Sequence, residues 1–230
     1  MIKFENVSKS YKEGIREHVI FKNINIQIKD GESIAIVGPS GAGKSTMLNL
    51  IAGLTDADSG KIYIDDIDIQ SIKSSKRPKI RLERFGFIFQ HYNLISSLNG
   101  IDNILVPALA KSKKPDMDYI MELVREFGVE ACIYKYPEDL SGGERQRIAI
   151  VRALVNKPQI ILSDEATGNL DCDNSIKVME MLDKCRKEYG KILIYVTHDE
   201  KLCCYSDRII RLKKDGGINE EGNEPEKGCK

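Results

Sequence analysis

The chain has 230 residues, of which 35 are lysine or arginine and 35 are aspartate or glutamate, so its formal net charge is zero. This length suits one α/β domain with a sizeable core. The balanced charge gives no electrostatic reason to expect nucleic acid as a partner, and no run of about 18 apolar residues predicts a membrane-spanning helix.

Short apolar runs alternate with helical patterns along the chain, which is typical of α/β proteins with a mainly parallel sheet. Residues 24–28 and 62–64 have the alternation of antiparallel strands with one exposed face. Helical spacing dominates from 91 to 157 and includes a predicted helix around residues 120–127. Further strands are predicted at residues 33–37, 85–89, 160–162 and 192–196.

These elements predict a core interrupted by a helical insertion. The core comprises residues 1–90 and 158–214 and includes an antiparallel β subdomain, whereas residues 91–157 form a helical subdomain. Residues 215–230 are rich in glycine, glutamate, asparagine and lysine, and this composition predicts a disordered tail.

A glycine-rich segment connects the strand at 33–37 to a helix. Gly38, Gly43, Lys44 and Ser45 have the spacing of a phosphate-binding loop, which a strand must precede and a helix follow. Its backbone N–H groups and the helix N-terminus bind phosphate. The predicted nucleotide-binding residues are Gly38, Pro39, Ser40, Gly41, Ala42, Gly43, Lys44, Ser45 and Thr46. The predicted fold is therefore a P-loop NTPase core.

Two residues of this loop have predicted roles beyond backbone contacts. Lys44 is expected to reach the β- and γ-phosphates, and the Ser45 hydroxyl to bind Mg²⁺. The apolar strand at 160–162 is followed by Ser163 and two acids. Asp164 is expected to hold Mg²⁺ through water, and Glu165 to polarise the attacking water.

The segment Leu140-Ser141-Gly142-Gly143-Glu144 is a further glycine-rich motif. Together with it, the phosphate loop and the acidic strand end resemble the ATP-binding cassette (ABC) family, and the likeness covers nearly the whole chain. Gln90 follows a predicted strand, as the family's lid glutamine does. The loop from Thr167 to Asp171 matches the family's loop after the acidic strand, and His198 matches its switch histidine. Tyr11 lies where the family stacks an aromatic ring on adenine.

The resemblance implies that ATP and Mg²⁺ are the ligands. Gln90 would contact Mg²⁺ or the attacking water, and His198 would contact the γ-phosphate. Asp171 would help to join two nucleotide sites across a dimer. Ala166 stands where the family usually has proline, and we expect this departure to alter the rate rather than abolish activity.

The segment Leu140-Ser141-Gly142-Gly143-Glu144 matches the family signature. The resemblance implies that Ser141, Gly142 and Gly143 bind the γ-phosphate held by another subunit, with Glu144 completing the motif. A hydroxyl and N–H groups at a helix N-terminus form a second anion site. One chain cannot easily place both anion sites on one phosphate, so a head-to-tail homodimer with two ATP sites is predicted.

The resemblance implies an ATP-hydrolysing subunit that drives a separate transmembrane permease and is peripheral on the cytoplasmic face of the membrane. Residues 87–94 and 167–171 resemble the branch of lipoprotein release, macrolide export and antimicrobial-peptide export. Members of that branch transmit motion to the far side of the membrane.

A non-hydrolysing structural or sensing subunit is disfavoured by the intact Lys44, Asp164, Glu165 and His198. Three further alternatives remain open. One is a soluble ABC-type ATPase in cell division or nucleic-acid transactions, although no nucleic acid is expected as a partner of a neutral chain. Another is the ATP-binding subunit of an importer. A small-molecule or nucleotide kinase would share the phosphate loop but would have no use for the segment at 140–144.

Overall fold

The computed structural model describes residues 1–14, 16–168 and 172–223. The chain divides into two compact units. The first comprises residues 1–78 together with the chain from residue 192 onward, and the second comprises residues 79–191.

Ten strands and six α-helices occur in the described residues. The strands are β1 (Ile2–Glu13), β2 (Arg16–Ile28), β3 (Ser33–Val37), β4 (Ser59–Ile64), β5 (Ile67–Asp68), β6 (Phe85–Phe89), β7 (Ile160–Asp164), β8 (Ile192–Val196), β9 (Arg208–Leu212) and β10 (Ile218–Gly222). The helices are α1 (Lys44–Ile51), α2 (Arg77–Arg84), α3 (Gly100–Lys111), α4 (Met117–Glu126), α5 (Gly142–Leu154) and α6 (Cys172–Tyr189).

An antiparallel sheet in the first unit has the strand order β2-β1-β4-β5. Phe4 lies opposite Ile26 on one side and Ile62 on the other, and all three side chains are buried. Burying one face of the sheet in this way requires the alternation seen in the sequence. The antiparallel strands predicted at 24–28 and 62–64 are confirmed.

A second group of strands in the first unit has the order β10-β9-β3-β8. β3 runs parallel to both β8 and β9. Every residue of β3 and of β8 is buried, which explains why both strands read as continuous apolar runs rather than alternating ones. The strands predicted at 33–37 and 192–196 are confirmed.

Residues 218–222 form a strand, so the disorder predicted from residue 215 is wrong for this segment. β10 pairs antiparallel with β9, with Ile218 opposite Leu212. Glu221 lies 3.1 Å from the Nε of Arg211. The charged composition of residues 218–222 led to the wrong prediction of disorder. An edge strand can be held by backbone hydrogen bonds and cross-strand charge pairs without apolar residues. Residues 224–230 lie outside the described residues.

The second unit contains the parallel pair β6 and β7 and the helices α3 to α6. Helix α5 packs against α3 and α4, and its residues 148–151 are all buried. Helix α4 confirms the helix predicted near residue 120, and Gly128 follows it with a φ of 61°, as an αL residue after a helix does. The segment 91–157 lies within this unit, which also includes β6, β7 and α6.

Among the described residues, no helix combines the length and the apolar character that crossing a membrane requires.

Candidate active site

The phosphate loop connects β3 to α1 in the first unit, as predicted. Gly41 has a φ of 79° and Gly43 a φ of 95°, values that non-glycine residues avoid. A Cβ at Gly43 would lie 2.3 Å from the Cγ2 of Ile20, and one at Gly38 would lie 2.8 Å from the backbone oxygen of Leu212. Both conformation and close packing therefore require glycine in this loop.

The Lys44 side chain forms hydrogen bonds to the backbone of its own phosphate loop. Its Nζ donates to the backbone oxygens of Gly38 at 2.9 Å and Pro39 at 3.2 Å, and the residue is 7% exposed. Gly43 is the N-cap of α1 and has no side chain with which to cap the helix. Backbone N–H groups at a helix start beside an ammonium group are the donor set that a phosphate requires.

His198 lies at the same sheet edge as the phosphate loop. β3 and β8 are parallel, with Ile36 opposite Val196, and the loop and His198 both follow the carboxyl ends of these strands. Thr197 orients the turn, since its Oγ1 accepts a hydrogen bond from the N–H of Asp199 at 3.0 Å. The first unit thus brings the predicted switch histidine to the edge that carries the phosphate loop.

Tyr11 lies on β1 and is 43% exposed. The Nζ of Lys9 lies 5.1 Å from the centroid of the Tyr11 ring. Asp58 fixes this stretch of β1, because its carboxylate accepts from the Lys9 ammonium at 2.9 Å and from the N–H of Ser10 at 2.6 Å. An exposed aromatic ring held on a strand is suited to stacking on a base.

The acidic strand end and Gln90 come together in the second unit. β6 and β7 are parallel, with Phe89 opposite Asp164, so Gln90 follows one strand beside the acids that end the other. A Cβ at Gly168 would lie 3.2 Å from the Nε2 of Gln90. The structure therefore places the predicted lid glutamine and the acidic residues at one edge.

Glu165 has a left-handed backbone conformation, with a φ of 48°. This conformation is uncommon for a residue with a side chain and occurs often at functional sites. The Glu165 carbonyl accepts a hydrogen bond from the N–H of Gly168 at 2.9 Å, which closes a turn around the buried Ala166. The last residue of this loop that sequence analysis singled out, Asp171, lies outside the described residues.

The signature segment begins helix α5 with a capping box. The Ser141 hydroxyl accepts from the Glu144 N–H at 3.3 Å, and the Glu144 carboxylate accepts from the Ser141 N–H at 2.7 Å. The hydrogen bond from the Ser141 backbone lowers the pKa of Glu144. Ser141 and Gly142 are exposed, so this helix N-terminus is open to a ligand, as an anion site requires.

Sequence analysis missed two side chains that hold the loop after Gln90. Asn103 on α3 is fully buried and hydrogen-bonds to the backbone of Ile95. Arg152 on α5 donates to the backbone oxygens of Tyr92 and Asn93. No local motif indicates either residue, because their partners are backbone groups in a segment with no regular periodicity.

Comparison with known proteins places the chain in a family. Residues 21–168 match the family model described as "ABC transporter". The chain is 42% identical over 229 residues to an uncharacterized ABC transporter ATP-binding protein, MJ0796, of Methanocaldococcus jannaschii, with 96% of each sequence covered. It is 41% identical over 223 residues to the lipoprotein-releasing system ATP-binding protein LolD of Buchnera aphidicola, covering 96% of this chain and 98% of LolD.

A third relative is longer than this chain. Identity to the macrolide export ATP-binding/permease protein MacB of Campylobacter fetus is 41% over 220 residues, which cover 95% of this chain but 34% of MacB. Among solved structures, the dimer of MJ0796 in a post-hydrolysis state bound to ADP and Pi superposes with a TM-score of 0.89 at 39% identity. That match covers 96% of this chain and 98% of the MJ0796 chain.

Proposed function

The chain belongs to the ABC transporter family of ATPases, and from this premise we propose that it is the motor subunit of an export or mechanotransmission system. In this proposal two copies bind two Mg-ATP head to tail, hydrolyse them and drive a transmembrane permease. The subunit is peripheral on the cytoplasmic face through that permease.

The observation that carries the proposal is that two helices of one chain, α1 and α5, begin at glycine-rich segments with hydrogen-bond donors. The phosphate loop before α1 offers an ammonium and backbone N–H groups, and the signature before α5 offers the Ser141 hydroxyl and further N–H groups. Each suits a phosphate. Isologous pairing of two copies generates two equivalent composite sites, and the solved MJ0796 dimer with ADP and Pi supports this arrangement.

The proposed residue roles follow from this arrangement. Lys44 binds the β- and γ-phosphates, Glu165 activates the attacking water, and His198 contacts the γ-phosphate. Tyr11 stacks on adenine. Across the dimer, Ser141 with its two glycines binds the partner's γ-phosphate, and Asp171 helps to join the two sites.

The proposed metal is Mg²⁺. Ser45, Gln90 and Asp164 supply hydroxyl, amide and carboxylate oxygens, which are the hard donors that Mg²⁺ prefers. Mg²⁺ at nucleotide sites keeps several waters and binds substrate phosphates, so phosphate oxygens and water would complete its coordination.

The names of the relatives support the export branch. LolD is named for lipoprotein release and MacB for macrolide export. MacB's name joins ATP-binding and permease functions in one protein, and this chain matches about a third of its length. We therefore propose that a permease of this branch is the partner.

The variant Glu165→Gln tests the proposal. It keeps the side-chain shape but removes the base that activates water, so ATP binds and is not consumed. With saturating Mg-ATP, light scattering should show about twice the monomer mass, and the wild type should return to monomer as ATP is consumed. A Glu165→Gln protein that stays monomeric while binding ATP would overturn the composite-site mechanism.

A further inference from the structure

The loop at residues 91–99, which follows Gln90, begins with an unusual backbone turn. Tyr92 and Asn93 have φ values of 60° and 48°, in the left-handed region that residues with side chains disfavour. The Tyr92 N–H donates to the Phe89 oxygen at 3.1 Å, so the turn starts directly at the end of β6. A turn of this kind persists only where its surroundings hold it.

Arg152 on helix α5 holds this turn. Its Nη2 donates to the Tyr92 oxygen at 2.6 Å and its Nη1 to the Asn93 oxygen at 2.5 Å. The planar guanidinium thus bonds two successive carbonyls with one rigid fork. Arg152 is half-buried, and desolvation lowers the pKa of its guanidinium, which stays protonated.

Tyr92 also reaches the other end of helix α5. A Cβ at Gly142 would lie 3.3 Å from the Tyr92 hydroxyl, so the phenol packs beside the signature. Gly142 and Arg152 are ten residues apart on α5, which is about 15 Å along the helix axis. The backbone of Tyr92 is bound near the end of α5, and its side chain lies near the start.

We propose that Arg152 is a positioning residue for ATP hydrolysis, which fastens the turn after Gln90 to α5 so that Gln90 and the signature move together. This inference rests on the proposed function, in which Gln90 acts on the chain's own nucleotide and the signature on the partner's. An arginine that only stabilised the fold would lower stability without changing turnover by the folded protein.

The variants Arg152→Met and Arg152→Lys test the inference. Methionine keeps a long apolar side chain and removes both hydrogen bonds. Lysine keeps the positive charge, and its ammonium group can donate to one or both of the carbonyls. The control is Asn156→Leu in the same unit. Asn156 is buried and, like Arg152, donates to two backbone oxygens, those of Leu82 at 3.3 Å and Pro107 at 3.0 Å, but no hydrogen bond joins it to the 91–99 loop.

Three quantities are measured for each variant: the kcat for ATP, the KM for ATP, and the hydrogen exchange of amides 91–99 in the nucleotide-free protein. Arg152→Met should lower kcat by about tenfold or more with KM changed by less than about threefold, and exchange in 91–99 should rise. Arg152→Lys should recover part of both. Asn156→Leu should melt at a lower temperature with kcat and loop exchange unchanged.

The inference is overturned if Arg152→Met keeps the kcat of Asn156→Leu, because Arg152 would then serve stability alone. Absence of ATPase activity in the wild type would instead refute the proposed function. In that case hydrogen exchange would still test the link, that is, whether Arg152 fastens the 91–99 loop to α5. Faster exchange in 91–99 for Arg152→Met alone would support the link, and equal exchange in all proteins would overturn it.

Discussion

The phosphate loop and the 91–99 loop both contain residues in the left-handed backbone conformation, but different contacts hold the two loops. The phosphate loop uses glycine at positive φ and closes on itself, because Lys44 bonds to the Gly38 and Pro39 oxygens. The 91–99 loop uses Tyr92 and Asn93 at positive φ and is held by side chains of helices α3 and α5 outside it.

The difference matches the proposed work of each loop. A loop with internal hydrogen bonds from its own lysine keeps those bonds when neighbouring helices move, which suits the binding of one constant ligand. A loop held by side chains of two helices changes position when those helices move, which suits a segment proposed to move Gln90 together with the signature.

The largest effect should come from opening the phosphate loop. Lys44→Ala removes the ammonium that binds phosphate and both internal hydrogen bonds. We expect a loss of about 3 kcal/mol, or about a hundredfold in the Kd for ATP, measured by calorimetry. A matched Lys9→Ala variant should retain the phosphate interaction and show a much smaller loss. ATP affinity equal to that of wild type in Lys44→Ala would contradict the predicted role of the loop.

The next largest effect should come from removing a side chain outside the 91–99 loop that holds it by hydrogen bonds. Asn103 is fully buried, and its amide bonds the backbone of Ile95, Leu98 and Asn99. Asn103→Leu leaves these groups unsatisfied, and we expect about 3 kcal/mol lower stability to urea unfolding.

A control for this second prediction lies in the same turn. Asn99 caps α3 by accepting from the Asp102 N–H, and Asn99→Ala should cost about 1 kcal/mol. If Asn103→Leu lowers the free energy of unfolding by no more than Asn99→Ala does, the hydrogen bonds of Asn103 do not hold the 91–99 loop.

A smaller, pH-dependent effect on stability is expected at residues 141–144, the part of the signature segment that begins α5. The pKa of Glu144 is lowered in the folded protein, chiefly by the hydrogen bond from the Ser141 backbone, so its contribution to stability is present above the ordinary glutamate pKa. It is lost as pH falls through the lowered pKa. Glu144→Gln keeps a capping side chain without the charge.

We therefore expect wild type to exceed Glu144→Gln in stability by about 0.5 kcal/mol at neutral pH. The difference should shrink as the pH falls through the lowered pKa of Glu144. Urea unfolding of both proteins across an acid-to-neutral pH series measures it. A gap that stays constant with pH would show that the charge of Glu144 does not stabilise the turn.

The sequence allowed prediction of features whose residues are neighbours along the chain. The phosphate loop, the acids after β7 and the signature each occupy one short segment, and the resemblance rested on their order. The parallel strands β3 and β8 were predictable because burial on both faces requires continuous apolar residues.

The features that were missed depend on distant or conformational information. Arg152 and Tyr92 are 60 residues apart, and nothing in either segment indicates the other. Positive φ at Tyr92 cannot be read from a tyrosine. Strand β10 was hidden by its charges, since its ladder with β9 involves backbone groups and cross-strand ion pairs.

The most direct test of the account asks where Ser141 acts. In the Glu165→Gln background, Ser141→Ala should no longer dimerise with saturating Mg-ATP in light scattering. Its affinity for Mg-ATP should equal that of Glu165→Gln measured at a protein concentration too low for dimers to form, because dimerisation itself raises the apparent affinity. Two results would contradict the proposal that the signature binds the partner's nucleotide. One is a double variant that dimerises as fully as Glu165→Gln, and the other is a double variant whose monomer has lost affinity for ATP.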